Sequence, residues 1–237
     1  MRRRALLLSA LAIPAALLLS AAHGQAEGVL PNAPPPGADV LFDGKDLSKW
    51  TGRGNIKPAP WKIENGVVTA GGGDIQTRED FKDFRLHLEF MTPYMPDKKG
   101  QARGNSGVII QGRYEIQVLD SYGKEHPGTG DCGAVYSQAA PLVNACKKPE
   151  EWQTYDIVFR HPRYADGKMT ERPRVTVFQN GILVQNNTEI HGLTANHDEK
   201  SDVSWANGLV LQDHGNPVKY RNIWIVPLPE KGSDKYE

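Results

Sequence analysis

The stretch Gly112-Arg113-Tyr114-Glu115-Ile116-Gln117-Val118-Leu119-Asp120 constrains the fold of this chain more than any other. From Tyr114 to Val118 the residues alternate: Tyr114, Ile116 and Val118 share one face, Glu115 and Gln117 the other. A period of two describes a strand with one side in a core and one side polar. Asp120 falls off this beat, since a regular strand would set it with the apolar residues. A one-residue bulge before it would return its carboxylate to the side of Glu115 and Gln117. An acid, an amide and a second acid would then line one face, which is either a solvated surface or a functional one.

The same period recurs along the chain. Phe84, Leu86, Leu88 and Phe90 point one way, and Arg85, His87 and Glu89 the other. Further strands are expected at Trp61–Thr69, Asn105–Gln111, Trp152–Arg160, Arg174–Gln179, Ile182–Gln185, Gly208–Gln212 and Tyr220–Val226. Asn65-Gly66 and Asn180-Gly181 suit two-residue hairpin turns, whose twist matches the flanking strands. Nowhere does an apolar 3.6 period last three turns. The expected fold is all-β: a two-sheet antiparallel jelly-roll sandwich, with Tyr114, Ile116 and Val118 between the sheets and Glu115 and Gln117 on the opposite, concave face. Gly71-Gly72-Gly73 is a turn and not a phosphate loop, because neither Lys-Ser/Thr nor a helix follows.

Arg2, Arg3 and Arg4 precede an apolar run from Ala5 to Ala22, and small residues follow at Ala22, Gly24 and Ala26. A basic start, a short apolar core and a small-residue exit describe a cleavable secretory signal over residues 1–26. Pro14 and the modest length argue against a stable membrane anchor. Four prolines between Pro31 and Gly37 make residues 27–37 a stiff linker. One domain over 38–228 and a polar tail over 229–237 complete the organisation. Removing the signal takes away three arginines and no acid, leaving 25 basic against 28 acidic residues, a charge of −3. With no basic stripe, nucleic acid is not an expected partner. Cys132 and Cys146, in an exported chain, are expected to form a disulfide, which would add about 3 kcal/mol on the chain-entropy account; two unpaired thiols are the alternative.

Two resemblances sharpen this reading. The spacing from Glu115 to Asp120 is similar to the E-x-D-x-x-E strand of the laminarinase-like glycosidases, which sit on lectin-type sandwiches. Gln117 stands where their middle carboxylate would be, and an amide cannot exchange a proton as a carboxylate does. More specifically, Leu41-Phe42-Asp43-Gly44-Lys45-Asp46-Leu47…Trp50, Phe84…Glu89-Phe90, Asn105-Ser106-Gly107, Tyr114…Asp120 and Leu211-Gln212-Asp213-His214-Gly215-Asn216-Pro217-Val218…Tyr220-Arg221-Asn222-Ile223 occur in order. Together they resemble the 3-keto-disaccharide hydrolase domain family over residues 38 to 228. That resemblance implies a concanavalin A-like sandwich, export, and action on glycosides oxidised at sugar carbon 3.

On such a substrate the ketone acidifies the hydrogen on carbon 2. A base removes it, donors or a metal hold the enolate, the carbon 1 oxygen leaves, and water adds to the enone. Glu115 is the expected base or metal-binding carboxylate, Asp120 the second acid or ligand, and His214 an acid/base, its charge changing near neutral pH. Glu89, Asn105, Arg113, Gln117, Gln212 and Arg221 are the expected substrate-binding residues, with Arg221 either at the oxyanion or in a structural ion pair. Glu115, Asp120, Gln212, His214 and Arg221 are expected to converge. A divalent cation is possible; no cofactor is certain. Trp205, in a polar loop, is the best sugar-stacking platform among the tryptophans. A lectin-like carbohydrate-binding domain and a structural sandwich remain as alternatives to the enzyme.

Overall fold

The computed structural model describes residues 32–54, 58–194, 198, 200–201 and 203–231. The expected signal segment, the start of the linker and the end of the tail lie outside the described residues.

The strands run β1 (Asp39–Phe42), β2 (Trp50–Gly52), β3 (Lys62–Glu64), β4 (Val67–Thr69), β5 (Ile75–Thr77), β6 (Phe84–Met91), β7 (Ser106–Ile110) and β8 (Tyr114–Val118). They continue as β9 (Gln153–Arg160), β10 (Arg163–Ala165), β11 (Lys168–Glu171), β12 (Arg174–Gln179), β13 (Ile182–Glu189), β14 (Val210–Leu211) and β15 (Lys219–Pro227). Among the described residues the helical content is one 3₁₀ turn, Gly100–Ala102. An eight-stranded sheet has the order β13-β12-β9-β6-β15-β4-β3, with β1 also beside β15, and a five-stranded sheet has the order β2-β5-β14-β7-β8. All of these pairings are antiparallel.

The alternation written in the sequence decides which faces meet. Leu86, Leu88 and Phe90 of β6 and Tyr155, Ile157 and Phe159 of β9 pack against Val108, Ile110, Tyr114, Ile116 and Val118 of β7 and β8, all buried. A fully buried side chain of this size is stabilised by about 1.5–3 kcal/mol over its exposed state, so this layer holds the sandwich together. Asn65-Gly66 and Asn180-Gly181 form the expected hairpin turns, each with both residues in the left-handed region. Asp166-Gly167 makes a third between β10 and β11, a hairpin too short and polar for the sequence pattern to reveal.

Two irregularities position side chains that matter later. In β15 the register shifts between Arg221 and Trp224, with Asn222 at a φ of 49°. The extra residue breaks the parity that Arg221 shares in sequence with Ile223 and Ile225. Tyr220 and Ile223 enter the core, while Arg221 turns to the outer face of the eight-stranded sheet. In the five-stranded sheet the outside edge of β8 is covered. Gln117 N–H donates to the Ala134 carbonyl, Gly133 N–H to the Gln117 carbonyl and Tyr136 N–H to the Glu115 carbonyl, each at 3.0 Å. That covering satisfies an edge otherwise open to pairing and holds β8 rigid.

Cys132 and Cys146 are free thiols in the structure, not the expected disulfide. Gln179 Nε2 lies 3.5 and 3.3 Å from their sulfurs, so one amide reaches both thiols. The fold therefore brings the two cysteines together without joining them.

Candidate functional site

Glu115 and Gln117 lie on the outer face of the five-stranded sheet, opposite the core side of Tyr114, Ile116 and Val118. In the β7–β8 pair Gln117 stands opposite Gly107 and Glu115 opposite Ile109. On the other side of β7, Gln212 N–H donates to the Gly107 carbonyl at 3.0 Å, just beyond the pairing of Leu211 with Val108. Gln212, Gly107 and Gln117 thus form one row across three strands, at about 4.8 Å per step, and the residue in the middle has no side chain. An ideal Cβ on Gly107 would stand 2.6 Å from Glu115 Oε1. The Glu115 carboxyl leans into the gap that the glycine leaves.

The amides around this niche are held by Gln101 and Gly130. Asn105 Nδ2 donates to the Gln101 carbonyl at 2.7 Å and to Gln101 Oε1 at 3.1 Å. Gln117 Nε2 donates to Gln101 Oε1 at 3.0 Å and to the Gly130 carbonyl at 3.4 Å. The opposite atoms, Asn105 Oδ1 and Gln117 Oε1, accept nothing among the described residues, and neither does Gln212 Oε1. Asn105 and Gln117 are 2% and 1% exposed, so these oxygens also have little access to bulk water.

Glu115 is 8% exposed, and among the described residues no donor bonds its carboxyl. Burial pushes it up to about 7; the negative charge of Asp74 adds to the rise and the Arg53 guanidinium opposes it. Asp74 and Arg53 pair at 3.0 Å, and Arg53 Nη2 also donates to the Gly112 carbonyl at 3.1 Å. A cleft of about 400 Å³ lies against this pair, bounded by Gly52, Arg53, Pro58, Pro60, Gly72, Gly73 and Asp74. Glu115 is thus a carboxyl that takes or gives a proton near neutral pH, with the cationic member of an ion pair nearby.

Of the remaining expected residues, some belong here and some do not. Asp120 is buried by Arg103, whose Nε lies 3.2 Å from Asp120 Oδ2, while Tyr122 N–H donates to Asp120 Oδ1 at 3.2 Å. It ties the loop carrying Gln101 to the end of β8. β8 ends at Val118, and beyond it Asp120 is held by Arg103 and by the backbone of Tyr122, while the groups acting on the Glu115 charge are Asp74 and Arg53. His214 is exposed in the turn after Gln212. The neighbouring Asp213 is occupied by the backbone N–H groups of Gly73 and Gly215. Arg113 donates to the Trp205 carbonyl at 2.9 Å, and its guanidinium lies 4.5 Å from the centre of the Trp205 ring. Trp205 remains 52% exposed, on the loop leading into β14.

Glu89 and Arg221 sit elsewhere. Arg221 Nε donates to Glu89 Oε2 at 2.7 Å, and Asn222 Nδ2 to Glu89 Oε1 at 2.9 Å. Both project from the outer face of the eight-stranded sheet, with the core between them and Glu115. The expected convergence of Arg221 with Glu115 is therefore corrected: the β15 bulge sends Arg221 to the far side. Arg53, Asp74 and Gln101 were absent from the sequence reading, because strands of three residues and irregular loops carry no period. Gly107 could have been read, since a glycine inside a strand pattern marks a close approach.

Comparison with known proteins gives the family and the fold. The 3-keto-alpha-glucoside-1,2-lyase-like domain family matches residues 37–226. The chain belongs to this family. A crystal structure of a candidate glycosyl hydrolase from Parabacteroides distasonis is 39% identical over 87% of this chain and 96% of its own, with a TM-score of 0.75. Two further candidate glycosyl hydrolases from the same organism are 22% and 24% identical, with TM-scores of 0.59 and 0.57; each covers 81% of this chain, and 94% and 99% of their own chains are covered. These two share the fold. The curated proteins contain no match to the chain. The family and the first neighbour support a protein that acts on or binds carbohydrate.

The niche itself yields a test. In Gly107→Ala the new methyl must displace the end of the flexible Glu115 side chain, not the backbone. Turnover is expected to fall by about two orders of magnitude, because an ångström of misplacement at a reacting group costs that much. The melting temperature is expected to change little. A lower melting temperature with intact turnover would show that Gly107 serves packing and not the site.

Proposed function

We propose that this chain is an exported enzyme that cleaves 3-keto-glycosides by elimination across carbons 1 and 2, followed by addition of water. The observation that carries the reading is Glu115: a buried carboxyl without a donor among the described residues, pushed up to about 7 and leaning over the bare backbone of Gly107. The description of the family names a lyase at the corresponding positions of a keto-glucoside.

In this reading Glu115 takes the carbon 2 proton. The electron pair left behind forms the enolate with the carbon 3 ketone, and Arg53 is the cation that stabilises it. The enolate collapses, the carbon 1–oxygen bond breaks, the departing oxygen takes the proton that Glu115 removed from carbon 2, and the sugar is left as an enone. Water then adds to carbon 1 and a proton returns to carbon 2, so the net reaction is hydrolysis. An acid that gives up and regains its proton around pH 7 suits both halves of this sequence. Asp74 and Asp120 are each held by an arginine, which leaves Glu115 to move the proton and suits elimination better than a displacement needing two opposed carboxyls.

The test is an assay with 3-keto-trehalose, 3-keto-sucrose and a 3-keto-aryl-glucoside, with and without chelator, beside the same glycosides unoxidised. Turnover of keto substrates alone is expected. Binding without turnover of any of them would replace the enzyme by the lectin-like reading, which the unpartnered amide oxygens favour. Loss of turnover in chelator would add a divalent cation to the reaction.

Export has its own consequence. In an oxidising compartment the adjacent thiols of Cys132 and Cys146 would lose two protons and two electrons to a thiol-oxidising partner and close into a disulfide. Mass spectrometry of the exported protein under non-reducing conditions is expected to find the chain lighter by two hydrogens. Two free thiols would contradict the pairing.

A further inference from the structure

Three side-chain oxygens around Gly107, those of Asn105, Gln117 and Gln212, accept no hydrogen bond among the described residues. A buried acceptor left unpaired costs about 1–3 kcal/mol, so three buried acceptors around Gly107 leave the cluster short of donors, which a ligand that enters it would supply. Two of them are oriented by backbone. The Asn105 amide nitrogen is held on the Gln101 carbonyl, and the Gln117 amide nitrogen on the Gly130 carbonyl. Flipping either amide would set oxygen against a carbonyl oxygen, so the acceptors are fixed in place.

We infer that the niche over Gly107 is a subsite that reads hydroxyl protons: Asn105, Gln117 and Gln212 accept from the unoxidised hydroxyl edge of the sugar ring. The inference rests on the carbohydrate reading above for the class of ligand and extends it to the orientation of the ring. A ketone oxygen carries only lone pairs and finds no donor in these three atoms. The oxidised carbon therefore faces away from them, toward Arg53, while the hydroxyl-bearing edge enters the niche. It follows that the niche does not require oxidation for binding. An unoxidised glycoside should bind and compete with the keto substrate without being turned over, and a ring whose hydroxyls are blocked by methyl groups should not.

The experiment is calorimetric titration with 4-nitrophenyl glucoside and its mono-O-methyl analogues, using wild type and Gln212→Met. Gln212 is chosen because its side chain donates no hydrogen bond on which the fold depends, while its backbone N–H, retained in Met, holds Gly107. The parent glycoside is expected to bind, and at least one O-methyl analogue to bind roughly three- to tenfold more weakly, the value of one neutral hydrogen bond. Gln212→Met is expected to lose a similar factor for the parent, with an unchanged melting temperature. No binding of the parent, equal affinity for every methylated analogue, or unaltered affinity in Gln212→Met would overturn the subsite. So would binding that vanishes in chelator and returns with calcium, which would make the three oxygens cation ligands. Turnover of a 3-keto-glycoside is scored separately. If turnover is seen and hydroxyl dependence is not, the subsite fails and the proposed reaction stands; the reverse result removes the reaction and leaves the subsite.

Discussion

Glu115→Gln is expected to lower turnover of a 3-keto-glycoside by about two to four orders of magnitude while the protein stays folded. The substitution keeps the shape of the side chain and removes its ability to carry a proton, so a loss in kcat with little change in KM identifies a base. A raised KM with kcat intact would make Glu115 a binding residue, and unchanged turnover would end the catalytic assignment. Stability supplies a second readout that does not depend on the substrate. The folded-state carboxyl is raised from 4.5 to about 7, so below pH 4.5 the protonated form fits its buried site at no electrostatic cost. As pH rises through 7 the folded protein must either ionise a buried carboxyl or hold a proton that the unfolded chain has released, and stability falls by up to about 3 kcal/mol. In Glu115→Gln this loss is expected to disappear, making the variant the more stable protein at pH 8 and the less active one. Urea titrations at pH 5 and pH 8 check the sign. A variant with the same pH dependence as wild type would show that Glu115 is not the raised group.

The sandwich was legible because its strands announce themselves two residues at a time. Tyr114, Ile116 and Val118 could point only one way once a core was assumed, and Glu115 and Gln117 then had to point the other. The site was legible where it lies on those strands, and illegible where it depends on register between strands. Nothing in the sequence says that Gly107 stands opposite Gln117, or that the three-residue strands β2 and β5 bring Arg53 and Asp74 toward Glu115. Asp120 was expected to return to the face of Glu115 through a bulge; instead β8 ends at Val118 with no register shift, and Asp120 is set by Arg103, a partner on an irregular loop. Arg221 was misplaced for a related reason. One extra residue in β15 exchanges the faces of everything before it relative to everything after, and a bulge has no hydrophobic signature of its own.

That exchange leads to the other large effect. Arg221→Ala is expected to destabilise the fold by about 3–5 kcal/mol and to leave kcat unchanged. The Glu89 side chain is 3% exposed and shared between Arg221 and Asn222. Without the guanidinium it keeps one amide donor for a full charge, and the burial of that unpaired carboxylate dominates the cost. The guanidinium also lies 4.0 Å from the centre of the Trp152 ring, a cation–π attraction that the alanine cannot make. Beside them the buried His87 stacks on Trp224 at 4.9 Å and lies 3.1 Å from Asp156 Oδ1, so Glu89 and His87 are both enclosed polar groups on this face. At about 2–4 °C per kcal/mol for a domain of this size, the melting temperature should drop by roughly 6–20 °C. Removing both charges in Glu89→Leu/Arg221→Leu should recover a large part of that stability, because no buried charge is then left alone. An oxyanion residue would behave in the opposite way. If Arg221→Ala keeps its melting temperature and loses turnover, the far-side placement fails, and Arg221 returns to the active site beside Glu115.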